Sequence, residues 1–160
     1  MRKTLIAAVA LVAMTAAFAA VAAGGTGSAK QHMRIDIKGA DPFAFVLKPT
    51  SRGGVQPDVG TATFCCWSSW DVIRAGAKVE VTNPRLTLGG QSGRLTIRER
   101  IEWTPLPDGW SVFTGTWKVV GGVRDYAGFS GHGRVAGAWA PETDPNRALR
   151  LRLSGFLEPK

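Results

Sequence analysis

The stretch Gly93-Arg94-Leu95-Thr96-Ile97-Arg98-Glu99-Arg100-Ile101-Glu102-Trp103 puts Leu95, Ile97, Ile101 and Trp103 on one parity and Arg94, Thr96, Arg98, Arg100 and Glu102 on the other. Successive side chains of a strand point to opposite faces, so this period of two describes a strand with one buried and one wetted face. The pattern recurs outward in both directions. Leu149, Leu151 and Leu153 alternate with Arg150 and Arg152 near the end of the chain. Upstream, the pairs and triplets are Ile35 and Ile37; Phe43, Phe45 and Leu47; Ala62 and Phe64; Val79 and Val81; Leu86 and Leu88. No stretch of ten or more residues after about residue 33 carries helical periodicity. Turn signals stand at 89–93, 105–109 and 141–146, residues 49–60 read as the longest flexible loop, and Pro84 marks a bend or an edge position because it cannot donate to a ladder. About eight short strands follow. The predicted fold is all-β: a single closed antiparallel barrel, in which closure removes the edges that invite aggregation. An outer-membrane barrel fits less well, since the chain has a single tyrosine, no aromatic girdle and a polar end at Glu158-Pro159-Lys160.

The first residues set the compartment. Arg2 and Lys3 precede an apolar run over 5–23 that ends in Ala20-Val21-Ala22, the small-residue spacing of a signal peptidase site. The alternative is an uncleaved membrane anchor, but the run is mostly alanine and meets Gly24-Gly25-Thr26-Gly27-Ser28 at once. The expected organisation is a signal peptide at 1–23, a flexible leader at 24–32 and a barrel domain at 33–160. The expected localisation is secreted or periplasmic in a bacterium, with no membrane attachment after cleavage. Without Arg2 and Lys3, 18 Lys and Arg stand against 12 Asp and Glu, a balance of +6. These cations are scattered rather than clustered, which reads as a solvated face and not as a nucleic-acid site.

Cys65 and Cys66 are the only cysteines. Adjacent strand residues face opposite ways, so the expectation is one buried thiol and one partly covered thiol, the alternative being a strained vicinal bridge. His32 and His132 are far apart and lack partners at ligand spacing, so no metal is expected. His132 also has no nearby serine or cysteine with which to form a nucleophilic triad.

Residues 115–133 read Gly-Thr-Trp-Lys-Val-Val-Gly-Gly-Val-Arg-Asp-Tyr-Ala-Gly-Phe-Ser-Gly-His-Gly. Glycines this frequent imply a tight turn and close backbone approach between two strands. The segment resembles the late hairpin of the dirigent and allene-oxide-cyclase-like eight-stranded barrels, matching at Gly115, Thr116, Trp117, Gly121, Gly122, Tyr126, Gly128, Gly131 and Gly133. It departs at Val123 and Arg124, where Thr-Gly is usual. The resemblance implies a barrel with an apolar cavity for a hydrophobic small molecule, without metal or organic cofactor, often in a dimer or trimer. The plant cyclases' other motifs are missing, so the resemblance transfers no activity.

Parity places Glu99 among Leu95, Ile97, Ile101 and Trp103, which is the barrel interior. A carboxyl in apolar surroundings has its pKa raised, and could act as acid, base or polar anchor. The alternatives are a bulge that flips Glu99 outward or a buried pairing with an arginine from another strand. Six tryptophans invite a sugar-binding reading, but Trp103, Trp117 and Trp139 share faces with aliphatic residues and read as interior packing, with Trp67 the most exposed. The leading expectation is an exported barrel binding a hydrophobic small molecule, with Glu99, Trp103 and Trp117 as the ligand-binding residues. One alternative is a cofactor-independent isomerase or cyclase with Glu99 as the catalytic candidate; the other is an envelope or extracellular interaction protein whose barrel is filled by its own side chains.

Overall fold

A computed structural model describes residues 30–141, 143–144 and 148–160. The expected signal peptide and most of the expected leader lie outside the described residues. Ten strands run in chain order: β1 Gln31–Gly39, β2 Phe43–Pro49, β3 Asp58–Cys65, β4 Ser69–Arg74, β5 Ala77–Thr82, β6 Arg85–Gly90, β7 Gly93–Pro105, β8 Ser111–Arg124, β9 Phe129–Trp139 and β10 Leu149–Pro159. No helix occurs among the described residues. β1 opens at Gln31, two residues ahead of the position read from the sequence as the domain start.

Eight strands close into an antiparallel barrel in the order β7-β6-β3-β2-β1-β10-β9-β8, and β8 returns to pair with β7 from Gly93↔Arg124 to Pro105↔Ser111. β4 and β5 form a hairpin outside the closed ring, whose backbone pairs with β7 at Val81↔Glu102 and Thr82↔Ile101. β5 and β6 lie along the same edge of β7, and Asn83-Pro84 separates them. Pro84 has no N–H to give, and its carbonyl accepts instead from the Glu99 amide at 3.0 Å.

Alternation decides what is inside. Over Gln31–Ile37 of β1, Leu95–Ile101 of β7 and Leu149–Leu153 of β10 every second side chain is buried, and Ile35, Leu95, Ile97 and Leu153 have no exposed surface. Register stacks them in layers, with Ile35 beside Leu153 and Leu47, Leu153 beside Val135, and Leu86 beside Ile97. The arginines of the opposite parity face outward, and Asp36 ties Arg34 and Arg152 together across two strands at 2.6 and 2.8 Å. Exposed pairs of this kind contribute little to stability.

The glycine-rich segment forms β8, a turn and the start of β9. The ring of Trp117 lies over Gly133 and Gly155, where an added Cβ at either position would run into it, and its indole N–H donates to the Ser154 carbonyl at 3.2 Å. Phe113 lies likewise over Gly137. Glycine therefore makes space for the two large rings. Gly133→Ala is expected to destabilise the barrel by roughly 1–3 kcal/mol, because the methyl meets both Trp117 and backbone of β10; urea unfolding reads this. At Arg124, one of the two departures from the family's pattern, the backbone takes a φ of 61°. Glycine occupies that region without strain and an arginine does not.

One end of the barrel is closed by polar side chains. Asp58 opens β3, is 4% exposed, and accepts from the Tyr126 hydroxyl (2.9 Å) and from the amides of Val59 (2.8 Å), Gln91 (2.9 Å) and Ser92 (3.3 Å). This joins the start of β3 to the turns β6–β7 and β8–β9. Burial, followed by the hydrogen bond to Asp58, pushes the Tyr126 hydroxyl pKa well above its ordinary value. Buried Gln31 does the same for the segment read as a long flexible loop: it accepts from the Val55 amide (2.6 Å) and donates to the carbonyls of Val55 (3.0 Å) and Ser51 (3.2 Å). That segment spans only 50–57, and Gln31 holds it against the barrel.

Candidate functional site

The other end of the barrel is hollow. A half-open cavity of about 850 Å³ lies where the ends of β3, β7 and β9, the start of β8 and the β1–β2 turn meet. Phe43, Phe64, Trp67, Trp103, Phe113 and Trp139 form its aromatic wall. The rings brace one another: Phe43 makes edge contacts with Phe64 (5.5 Å between centroids) and Trp139 (5.9 Å), and Trp103 tilts against Phe113 at 4.7 Å. The Trp103 indole N–H donates to Thr82 Oγ1 at 2.7 Å, so β5 fixes the ring on β7. A concave apolar site with a few polar groups is the ordinary form of a small-molecule pocket.

The strands produce this wall through parity at their ends. Phe43, Phe64, Trp103, Phe113 and Trp139 continue the inward-facing positions of β2, β3, β7, β8 and β9 toward the mouth. Deeper inside, aliphatic side chains of the barrel strands fill the section together with Phe45, Trp117 and Glu99. At the mouth the inward positions carry rings that leave open space between them.

Glu99 lies one inward position below Ile101, which lines the cavity. It is fully buried, opposite Trp117, and among the described residues neither carboxyl oxygen has a hydrogen-bond partner. Burial pushes its pKa up to about 8, so the neutral acid predominates at pH 7. Neither sequence alternative holds. The one register shift between β7 and β8 falls at Thr96/Ile97, takes up Val120 of β8 as its extra residue, and leaves Glu99 pointing in. Among the described residues no arginine pairs with it.

Of the three residues expected to bind ligand, Trp103 lines the cavity, whereas Glu99 and Trp117 are packed beneath it. Trp67 is both 61% exposed and part of the rim. Phe43, Phe64 and Phe113 were not expected to bind ligand, although their positions at strand ends on the inward parity were the available signal. Cys65 and Cys66 depart from expectation. Both thiols are free and exposed, because β3 ends at Cys65 and Cys66 turns with a φ of 56°. A hydrogen bond to Cys66 pushes the Cys65 thiol pKa up. Among the described residues no three His, Cys, Asp or Glu side chains are grouped to hold a metal ion. His132 faces outward and packs edge-on against Phe156 at 4.2 Å.

No known protein family, no curated protein and no solved structure matches this chain.

Proposed function

We propose that the protein is an exported small β-barrel that binds a hydrophobic small molecule in the cavity at its mouth. The observation that carries this reading is the cavity itself, with six aromatic side chains around open space at the end of an otherwise filled barrel. Rings left partly uncovered are hydrophobic surface that a ligand can bury, at roughly 25 cal/mol per Å². Kinship with the dirigent and allene-oxide-cyclase-like barrels belongs to the same proposal, supported by the matching residues between Gly115 and Gly133. So does export, supported by Arg2, Lys3 and the apolar run before Ala20-Val21-Ala22.

The neutral apolar dye N-phenyl-1-naphthylamine tests the binding reading. Saturable fluorescence enhancement is expected, and Trp103→Ala, which removes the ring braced by Thr82 and Phe113, is expected to weaken it about tenfold. Absence of saturable binding, or equal binding by the variant, contradicts the proposal.

A second reading, a cofactor-independent isomerase or cyclase, is favoured by one observation: a neutral, unpartnered carboxyl lies one inward residue below the cavity floor. A ligand that displaced Ile101 would meet a group able to donate a proton.

A further inference from the structure

Resting on the cavity-binding reading, we infer that the ligand carries a positive charge: an organic cation with apolar substituents, either a quaternary ammonium or a protonated amine. The charge of the cavity wall is the first observation. Its described lining residues include two carboxylates, Asp41 and Glu80, and no Lys, Arg or His. Because 20 of the 160 residues are Lys or Arg, an unbiased wall of 19 residues would hold about two cations. Among the described residues, the mouth is thus an acidic, aromatic exception on a basic protein.

Both carboxylates are available. Asp41 sits in the β1–β2 turn and Glu80 on β5, and neither makes an ion pair or hydrogen bond among the described residues. Three cations on β4, β5 and β7 are engaged elsewhere. Lys78, in a small hollow that adjoins the rim beside Glu80 and Trp103, pairs with Asp71 at 2.8 Å, and Arg74 and Arg100 both pair with Glu102. The indole N–H of Trp103, a donor that would suit an anion, is engaged by Thr82 Oγ1. Tryptophan faces attract cations more strongly than any other ring does, and Trp67, Trp103 and Trp139 all contribute to the wall. Aromatic faces with two unpaired carboxylates favour an apolar cation over an anion of the same shape.

The test compares three molecules on one benzyl skeleton: benzyltrimethylammonium, its uncharged carbon isostere neopentylbenzene, and phenylmethanesulfonate. Each displaces N-phenyl-1-naphthylamine from the full-length protein and from the double variant Asp41→Asn/Glu80→Gln, at low ionic strength so that the rim charges are little screened. The cation is expected to bind at least about tenfold more tightly than the sulfonate, and the double variant to weaken the cation about tenfold while leaving neopentylbenzene within about twofold. Equal binding of cation and sulfonate, or an unchanged cation affinity in the double variant, overturns the charge assignment while the bound dye leaves the cavity reading standing. If the dye itself fails to bind, the cavity reading falls and the charge assignment with it.

Discussion

Replacing Glu99 with leucine is expected to raise stability at pH 8 by about 3–5 kcal/mol and to flatten its dependence on pH between about 5 and 8. Glu99 is fully buried with both oxygens unpartnered, and burial alone lifts its pKa from 4.5 to about 8. Between those two values the folded chain holds a proton that the unfolded chain has released. Stability therefore falls as pH rises through this window, by about 1.4 kcal/mol per unit, and the loss accumulates to roughly 5 kcal/mol near pH 8. Below pH 4.5 both states are protonated and this penalty vanishes, although other carboxylates then begin to titrate. Leucine brings no proton and no polar atom to the site, so the slope and the penalty disappear together. Glu99→Gln separates the two effects: the slope goes, but an amide without partners stays buried and costs about 1–3 kcal/mol. Urea unfolding at several pH values between about 5.5 and 8.5 decides the matter. A wild-type stability that is flat over this range, or a Glu99→Leu variant as steep as the wild type, contradicts the buried neutral acid. Side chains this costly gather at functional sites, which links the energetics of Glu99 to the cavity above it.

Asp58→Ala is expected to cost about 3–4 kcal/mol, the largest loss from any single polar truncation in the barrel. Four donors converge on its carboxylate: the Tyr126 hydroxyl and the amides of Val59, Gln91 and Ser92. Hydrogen bonds to a charged acceptor contribute about 1.5–3 kcal/mol each, and they are not additive where donors share one group. Tyr126→Phe removes one donor and leaves the carboxylate with three, so about 1–2 kcal/mol is expected. The double variant Asp58→Ala/Tyr126→Phe should then be little worse than Asp58→Ala alone, because the second change removes a hydroxyl already stranded. Additive losses in that cycle would mean that Tyr126 acts through packing rather than through Asp58.

The sequence made the barrel legible because a greasy inside and a charged outside leave a period of two in β1, β2, β7 and β10. β4 was missed for the same reason in reverse: Ser69, Trp70, Asp71 and Ile73 are exposed, and no buried face writes a pattern into them. Parity also placed Glu99 inside, since direction along a strand is local information. Its lack of a partner was not legible, because that depends on what seven other strands bring to the same depth. The Asp58–Tyr126 contact spans 68 residues and is made by the start of β3 and the β8–β9 turn, which meet only after the barrel closes. Cys65 and Cys66 were read as strand neighbours, one of them buried, whereas the strand ends between them. The cavity lies between these extremes: Phe43, Phe64, Trp103 and Trp139 were visible on inward parities, but not the open space where the rings meet at the strand ends.

The six tryptophan indole N–H signals of a ¹⁵N-labelled sample, followed during titration with a neutral apolar ligand such as N-phenyl-1-naphthylamine, test the mouth cavity most directly. Trp67, Trp103 and Trp139 line the cavity, whereas Trp70, Trp110 and Trp117 do not. A barrel with a ligand-binding mouth predicts saturable shifts of the first three signals with the other three nearly fixed. Six unmoved signals, or a response led by Trp70 or Trp117, would contradict it.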